Sequence, residues 1–369
     1  ADGSVVTWGE AAYGGKSSAV APLETEGVVQ VCGTNGAFAA IKANGSVVTW
    51  GNAAHGGNSS VVAPLLTEGV VQVCGTNGAF AAIKVNGSVV TWGEPAYGGN
   101  SSAVAPHLTE GVVQIRGTSS AFAAIQSNGS VVTWGNAGQG GKPSSAVAPL
   151  LTEGVVQLCG NNLAFAAIKA NGSVVTWGEA AYSGKPFSAV APLLTEGVVQ
   201  LCGTNGAFAA IMANGSVVTW GEAAHGGNSS AVAPLLTGVV QLCGTEGAFA
   251  VIKANGSVVT WGRADYGGNS SAIAPLLMEG VVQVCGTDGA FAAITANGSV
   301  VTWGEAAHGG NSSAVAPLLT EGVVQICGTN GAFAAIKANG SVVTWGDAGQ
   351  GGNSSAVAPL LMEGVVQVC

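Results

Sequence analysis

Charge is scarce in this chain. Only 8% of its 369 residues are Asp, Glu, Lys or Arg, with ten basic against nineteen acidic side chains and a formal charge of −9. So few Lys and Arg, with no cluster among them, exclude the basic surface that nucleic-acid binding requires. Apolar residues are plentiful, yet no unbroken run approaches the length of a membrane-crossing helix, so membrane insertion is not expected. There is no Cys-x-x-Cys spacing for zinc. No Ser, His and acid meet at neighbouring motif positions, which withholds a hydrolase triad. Gly-rich stretches such as Tyr97-Gly98-Gly99-Asn100-Ser101-Ser102 lack the Lys and the following helix of a phosphate loop. The sequence therefore predicts no enzyme, no cofactor and no metal. It shows no targeting segment and leaves the compartment open.

What the chain has in excess is repetition. Trp8, Trp50, Trp92, Trp134, Trp177, Trp220, Trp261, Trp303 and Trp345 each close a VVTWG segment, at spacings of 42, 42, 42, 43, 43, 41, 42 and 42. With no linker between copies, residues 1–369 read as one repeat-array domain of nine units. Each unit contains SVVTWG, a Gly-rich connection, a Pro-bearing VVAPLLTEG, then VVQVCGTNG and AFAAIKANG. Ala37–Lys42 and Ser46–Trp50 are rich in sheet formers and flank Asn44-Gly45, a hairpin signal whose two residues both tolerate positive φ.

Val47, Val48, Thr49 and Trp50 do not alternate apolar with polar, so neither face of the sheet can be wet. Stacked copies can cover one another, and the size of the unit is that of a propeller blade. The expected fold is an all-β propeller of about nine short four-stranded blades, the Pro-bearing segment supplying the fourth strand at an edge. One blade is expected to be incomplete, because residues 1–9 bring a Trp strand with no AFAAI strand before it. From this phase, and from the missing initial Met, the chain is read as part of a longer one. Length changes at Lys142-Pro143, Lys185-Pro186-Phe187 and Thr237-Gly238 fall in predicted loops.

The pattern Gly-x-Val-x-x-Trp-Gly, then Gly138-Gln139-Gly140 or Gly349-Gln350-Gly351, then Pro, a Val-Val strand, a Gly and an apolar strand leading to Asn-Gly, resembles the regulator of chromosome condensation repeat. The resemblance spans all nine units. It departs at Ala37, where family units usually carry His, and family units are usually longer and typically seven to a ring. It implies a propeller whose surface binds another protein. Family members include a nucleotide exchange factor for a small nuclear GTPase, ubiquitin-ligase subunits and a bacterial β-lactamase inhibitor. The chromatin-binding feature of the nuclear member has no counterpart here.

Several positions repeat with the unit. The Trp residues are expected in the core rather than stacked on a ligand. Cys32, Cys74, Cys159, Cys202, Cys243, Cys285, Cys327 and Cys369 share one unit position with Arg116. Equivalent positions of neighbouring blades should lie too far apart to bridge, so free buried thiols are expected, with Arg116 reaching solvent. The Gln of VVQ recurs in all nine units, as in Gln114 and Gln283, and is expected to form a hydrogen-bond belt between blades.

Variation collects after Trp-Gly, in Tyr13, His55, Tyr97, Gln139, Tyr182, His225, Tyr266, His308 and Gln350, and in Glu10, Asn52, Glu94, Asn136, Glu179, Glu222, Arg263, Glu305 and Asp347. Strand order puts this connection on the same face as the GTNG loop. That face is the candidate surface for a protein partner or for self-association. Asn-x-Ser occurs at Asn44, Asn86, Asn128, Asn171, Asn214, Asn255, Asn297 and Asn339, and again at Asn58, Asn100, Asn228, Asn269, Asn311 and Asn353. These are glycan acceptors if the chain enters a secretory route, and turn residues otherwise. The function expected is a non-enzymatic scaffold for protein interaction or structural assembly. The alternatives are an exchange-factor or ubiquitin-ligase accessory propeller, implied by the resemblance, and a subunit of a self-assembling, glycosylated extracellular fibre.

Overall fold

The computed structural model describes residues 4–14, 27–183 and 190–367. Their strands form eight antiparallel sheets of three, each in sequence order. The first sheet contains β1 (Val28–Gly33), β2 (Ala37–Lys42) and β3 (Val47–Gly51); the second contains β4 (Val70–Gly75), β5 (Ala79–Lys84) and β6 (Val89–Gly93). The same three strands recur from Val112, Val155, Val198, Val239, Val281 and Val323. The chain divides into two compact units, Asp2–Ser183 and Gly184–Cys369. Each holds four of the sheets.

The all-β, propeller-type architecture is as the repeat predicts, but the blades carry three strands, not four. Ala63–Leu65, Ser102–His107, Ser313–Leu318 and their equivalents are 3-10 turns. Pro64 and its counterparts cannot donate to a ladder, and the fixed Pro φ suits a tight turn. The segment still closes the edge of the sheet. Val47 N–H donates to the Leu66 carbonyl at 2.9 Å, and Thr49 Oγ1 reaches the Gly57 carbonyl at 3.1 Å and the Ser59 hydroxyl at 3.0 Å. The stretch around Trp8 forms no strand; Val5 instead packs with Val48 on Ala40 and Trp50 of the first sheet. Lys142-Pro143 and Thr237-Gly238 do lie in loops, whereas Lys185-Pro186-Phe187 falls outside the described residues.

The hairpin is right and its turn chemistry is different. Gly45 takes φ +76°, but among the described residues no residue other than Gly has positive φ. Gly45 N–H bonds the Lys42 carbonyl at 2.8 Å, so Ala43-Asn44-Gly45 is a three-residue loop with Gly in the left-handed position. Asn44 contributes its side chain rather than its backbone: Oδ1 accepts the Ser46 N–H at 3.0 Å.

Both faces of the central strand are buried. Ala37, Ala39 and Ile41 of β2 pack against Phe80, Ala82, Val90 and Trp92 of the second sheet, with Leu66, Val70 and Val73 between them. The pattern recurs within each unit, small residues on one face meeting large ones on the next. Phe80 and Trp92 are register partners across β5 and β6, with ring centroids 5.3 Å apart. The Trp residues of the eight sheets are 1–5% exposed, as expected.

Three sets of bonds then lock one sheet to the next. Val70 N–H donates to the Gly45 carbonyl at 2.9 Å, Asn35 N–H to the Asn77 carbonyl at 3.2 Å, and the Trp92 indole N–H to the Gly56 carbonyl at 3.0 Å. Gly56 sits at φ +92°, and a Cβ there would lie 2.7 Å from the Phe80 ring, so only Gly fits.

Trp50 is the internal control for the indole bond. It is equally buried, but its Nε1 has no partner among the described residues. Trp92→Phe should therefore cost about 1–3 kcal/mol more than Trp50→Phe in denaturant unfolding, because it strands a buried carbonyl as well as losing area. Equal losses would show that the indole bond contributes nothing.

Candidate partner-binding face

Each T-x-G loop is tied to the connection that follows Trp-Gly in the same blade. Thr34 Oγ1 accepts the Ala37 N–H at 3.0 Å and donates to the His55 carbonyl at 3.0 Å. Thr76 does the same for Tyr97, Thr118 for Gln139, Thr204 for His225, Thr245 for Tyr266, Thr287 for His308 and Thr329 for Gln350. Asn161, which replaces Thr, keeps the bond to Tyr182 through its amide. The two loops thus share one face of each blade, as strand order predicts.

On that face Tyr13 and Gln350 are exposed, while His55, Tyr97, Gln139, Tyr182, His225, Tyr266 and His308 are half-buried. Apart from Tyr13, their backbone carbonyls are committed to the Thr bonds, or to Asn161 at Tyr182, so what differs between blades is the side chain. A turn with three residues per revolution stacks i over i+3. Hence Glu222 meets His225 at 2.9 Å, Glu305 meets His308 at 2.8 Å, and the Arg263 guanidinium lies 4.2 Å from the Tyr266 ring centroid. Arg263 also makes two 3.0 Å bonds to Asp265, and their mutual pairing holds the Asp265 carboxyl below its ordinary range. Where Asn stands first, it turns inward to cap the next turn. Asn52 accepts from Ala54 N–H and Asn136 from Gly138 N–H, which leaves His55 Nδ1 and Gln139 Oε1 without hydrogen-bond partners.

The middle residues of the T-x-G loops lie on this face as well, and the sequence reading did not single them out. They are Asn35, Asn77, Ser119 and Asn162 in one unit and Asn205, Glu246, Asp288 and Asn330 in the other. Their signal was present: this position also departs from the repeat, with Ser, Glu and Asp standing where Asn is usual.

The remaining repeated positions make contacts within the fold. The Gln belt is seen where Gln114 Oε1 accepts the Leu158 N–H at 3.3 Å and where Gln283 Nε2 donates to the Ile326 carbonyl at 3.4 Å. The seven described cysteines form no disulfide and are half-buried; Cys369 lies outside the described residues. Arg116 is exposed, as expected. All fourteen Asn-x-Ser asparagines are exposed. Each accepts the N–H of its Ser through Oδ1, which makes both rows turn-forming.

Two of the clefts are open and shallow, one lined by Lys42, Val48 and Asn58, the other by Val199, Gln200 and Asn214. Among the described residues no group of three or more His, Cys, Asp or Glu is placed to hold a metal, and no helix is long and apolar enough to cross a membrane.

No family model and no curated protein matches the chain. Solved structures do. The CRINKLY WD40 ectodomain of the Arabidopsis thaliana receptor kinase ACR4 is 16% identical with a TM-score of 0.41, the match covering 75% of this chain and 95% of that one. The ectodomain of the Physcomitrella patens receptor kinase CR4 is 14% identical at a TM-score of 0.43, over 75% and 73%. Prp20p from Saccharomyces cerevisiae, whose binding to Gsp1p and histones has been described, is 14% identical at 0.42, over 76% and 72%. These scores are low, and the fold assignment rests on the sheets themselves.

Burial decides the chemistry of the cysteines. It pushes the Cys74, Cys243 and Cys285 thiols up to about 12, with a neighbouring blade's Cys adding to the rise in each case. Since the thiolate is the nucleophile, these three should resist iodoacetamide in the native protein at mildly alkaline pH and react fully once it is denatured. Peptide mass mapping reads the difference; native labelling at the rate of a surface thiol would refute the assignment.

Proposed function

We propose that the repeat array is a non-enzymatic scaffold that binds a protein partner through the face carrying the T-x-G loops and the connections after Trp-Gly. One observation supports the reading above others. An invariant backbone frame, fixed in each described blade by the same side-chain bond to a carbonyl, presents a different side chain in successive blades: His55, Tyr97, Gln139 and Tyr182 in one unit, His225, Tyr266, His308 and Gln350 in the other. A rigid frame with variable side chains offers a surface specificity without the entropy cost of ordering loops. The aromatic residues there are the types that dominate interface energetics.

The test compares two faces of the same full-length chain. Photo-crosslinkers at the exposed Ala96 and Ala224 should capture one defined partner from native extract, and those at the exposed hairpin residues Asn128 and Asn255 should not. Tyr97→Ala with Tyr182→Ala should weaken that capture at least tenfold, by the loss of about 1.4 kcal/mol or more. Equal capture from both faces, or capture indifferent to the two Tyr, would overturn the proposal.

Self-association is a second reading, favoured by apolar residues repeated on the surface. Val29, Val71, Val113 and Val156 are 55–59% exposed at one unit position, and Leu65, Leu150, Leu193 and Leu235 are 49–58% exposed at another. In an assembling extracellular subunit the fourteen exposed Asn would carry glycans that keep so sparsely charged a chain soluble. Light scattering of native material should then give a mass well above 35.7 kDa, and peptide mapping should find glycans. A monomer with unmodified Asn throughout removes this reading. No observation favours the exchange-factor or ubiquitin-ligase alternatives.

A further inference from the structure

The T-x-G loops of successive blades are joined rung to rung through their backbones. In the unit Gly184–Cys369, Asn205 N–H donates to the Glu246 carbonyl at 2.8 Å, Glu246 N–H to the Asp288 carbonyl at 2.8 Å, and Asp288 N–H to the Asn330 carbonyl at 2.9 Å. In the unit Asp2–Ser183 the same ladder runs through Asn35, Asn77, Ser119 and Asn162. Ser119 and Asn162 also bond through their side chains. Six of these eight positions are neutral amides or hydroxyls, able to donate and accept beside one another. The other two, Glu246 and Asp288, are carboxyls on adjacent rungs, and both are half-buried.

The charged groups around that rung are already engaged. Arg263, behind Gly247, is held by Asp265 and lies over Tyr266. His308 stands against Gly289, but its Nδ1 is bonded to Glu305. Asp347, beside Gly331 in the next blade, accepts from Gln350 N–H. Among the described residues His308, though bonded to Glu305, is the group that opposes the two like charges. Burial, with Glu246 adding and His308 opposing, pushes the Asp288 carboxyl up to about 7.

We propose that the Glu246–Asp288 rung is a proton-linked joint in this unit: protonated Asp288 lets the two loops close on each other, and loss of that proton loads their backbone bonds with like-charge repulsion. The sign follows from linkage. The folded state holds the Asp288 proton more tightly than the unfolded chain, so the stabilisation is complete below the ordinary carboxyl range. It is lost as pH rises from about 4 to about 7 and changes little above that. The neutral ladder of the other unit has no such dependence.

The chain contains four aspartates, so full-length protein labelled with 13C at the Asp carboxyls gives four titration curves, and Asp288→Asn identifies one of them. The Asp288 curve should have its midpoint near neutrality, and Glu246→Gln should move it down. Amide hydrogen exchange reads the joint itself. From about pH 5 to about pH 9 the protection of Glu246 N–H, corrected for intrinsic exchange, should fall several-fold while that of Asn77 N–H stays constant. Asp288→Asn and Glu246→Gln should each abolish the fall. An Asp288 midpoint in the acid range overturns the proposal. So does a high midpoint with pH-independent protection at Glu246, or a fall that persists in Asp288→Asn.

Discussion

The structure depends on a central strand that has no wet face. In Ala79–Ile83 every side chain is buried, so the strand can exist only with an apolar layer on each side. A three-stranded sheet cannot provide that for itself, but a neighbouring copy can, provided that the two faces of the strand differ. They do: Ala79, Ala81 and Ile83 look one way, Phe80 and Ala82 the other, and the shallow Ala face of one sheet receives the Phe and Trp of the next. Each aromatic pair buries on the order of 300–500 Å², which at about 25 cal/mol per Å² is roughly 8–12 kcal/mol as an upper bound for one junction. The core therefore lies between blades rather than within them, and no blade is a folding unit alone.

Burying a strand on both faces leaves its edges to be dealt with, because an open edge invites pairing with other chains. The chain closes each edge by a different route. On the Trp side, the Pro-bearing turn lays the Leu66 carbonyl on Val47 N–H, and Thr49 bonds back to the connection. On the Cys side, Gln side chains of a neighbouring blade serve in place of a fourth strand, Gln114 accepting from the Leu158 N–H and Gln283 donating to the Ile326 carbonyl. An apolar residue at these Gln positions would pack as well and leave those backbone groups open. At these two junctions that accounts for a polar side chain in the middle of an apolar strand.

The strands, their two-sided burial and the depth of the Trp residues were legible because they follow from composition and period alone. Val47 to Trp50 does not alternate, and that one fact carried the stacked architecture. The fourth strand was misread because Pro64 admits two explanations at sequence level, an edge strand or a turn. The choice depends on whether a carbonyl is needed opposite Val47, which is a tertiary fact. Asn-Gly likewise predicts a tight turn but not which residue takes positive φ; Asn44 proved more useful as a side-chain acceptor. The candidate face was only partly legible. The His, Tyr and Gln series showed as variation, whereas Glu246 and Asp288, which depart from the usual Asn, took on meaning only once their rungs were seen to touch.

Where variation is tolerated follows from what each position contributes. Gly56 supplies a carbonyl to Trp92 and space to the Phe80 ring, so both its backbone and its missing side chain are in use. His55, one residue earlier, supplies only its carbonyl, and any side chain that fits beside Gly36 leaves the frame intact. Arg116 makes the same point at the Cys position: its backbone pairs with Ala123 like every other copy, while its guanidinium leaves for solvent and bonds its neighbour's carbonyl. A fold whose junctions are made by backbone groups, Ala, Phe and Trp thus leaves one set of side chains outside the repeated frame, with Tyr97 and Tyr266 still packing on the core. Because the frame repeats, those positions follow the same kind of carbonyl bond in each described blade. Substitution there changes side-chain chemistry while the carbonyl bonds of the frame stay in place.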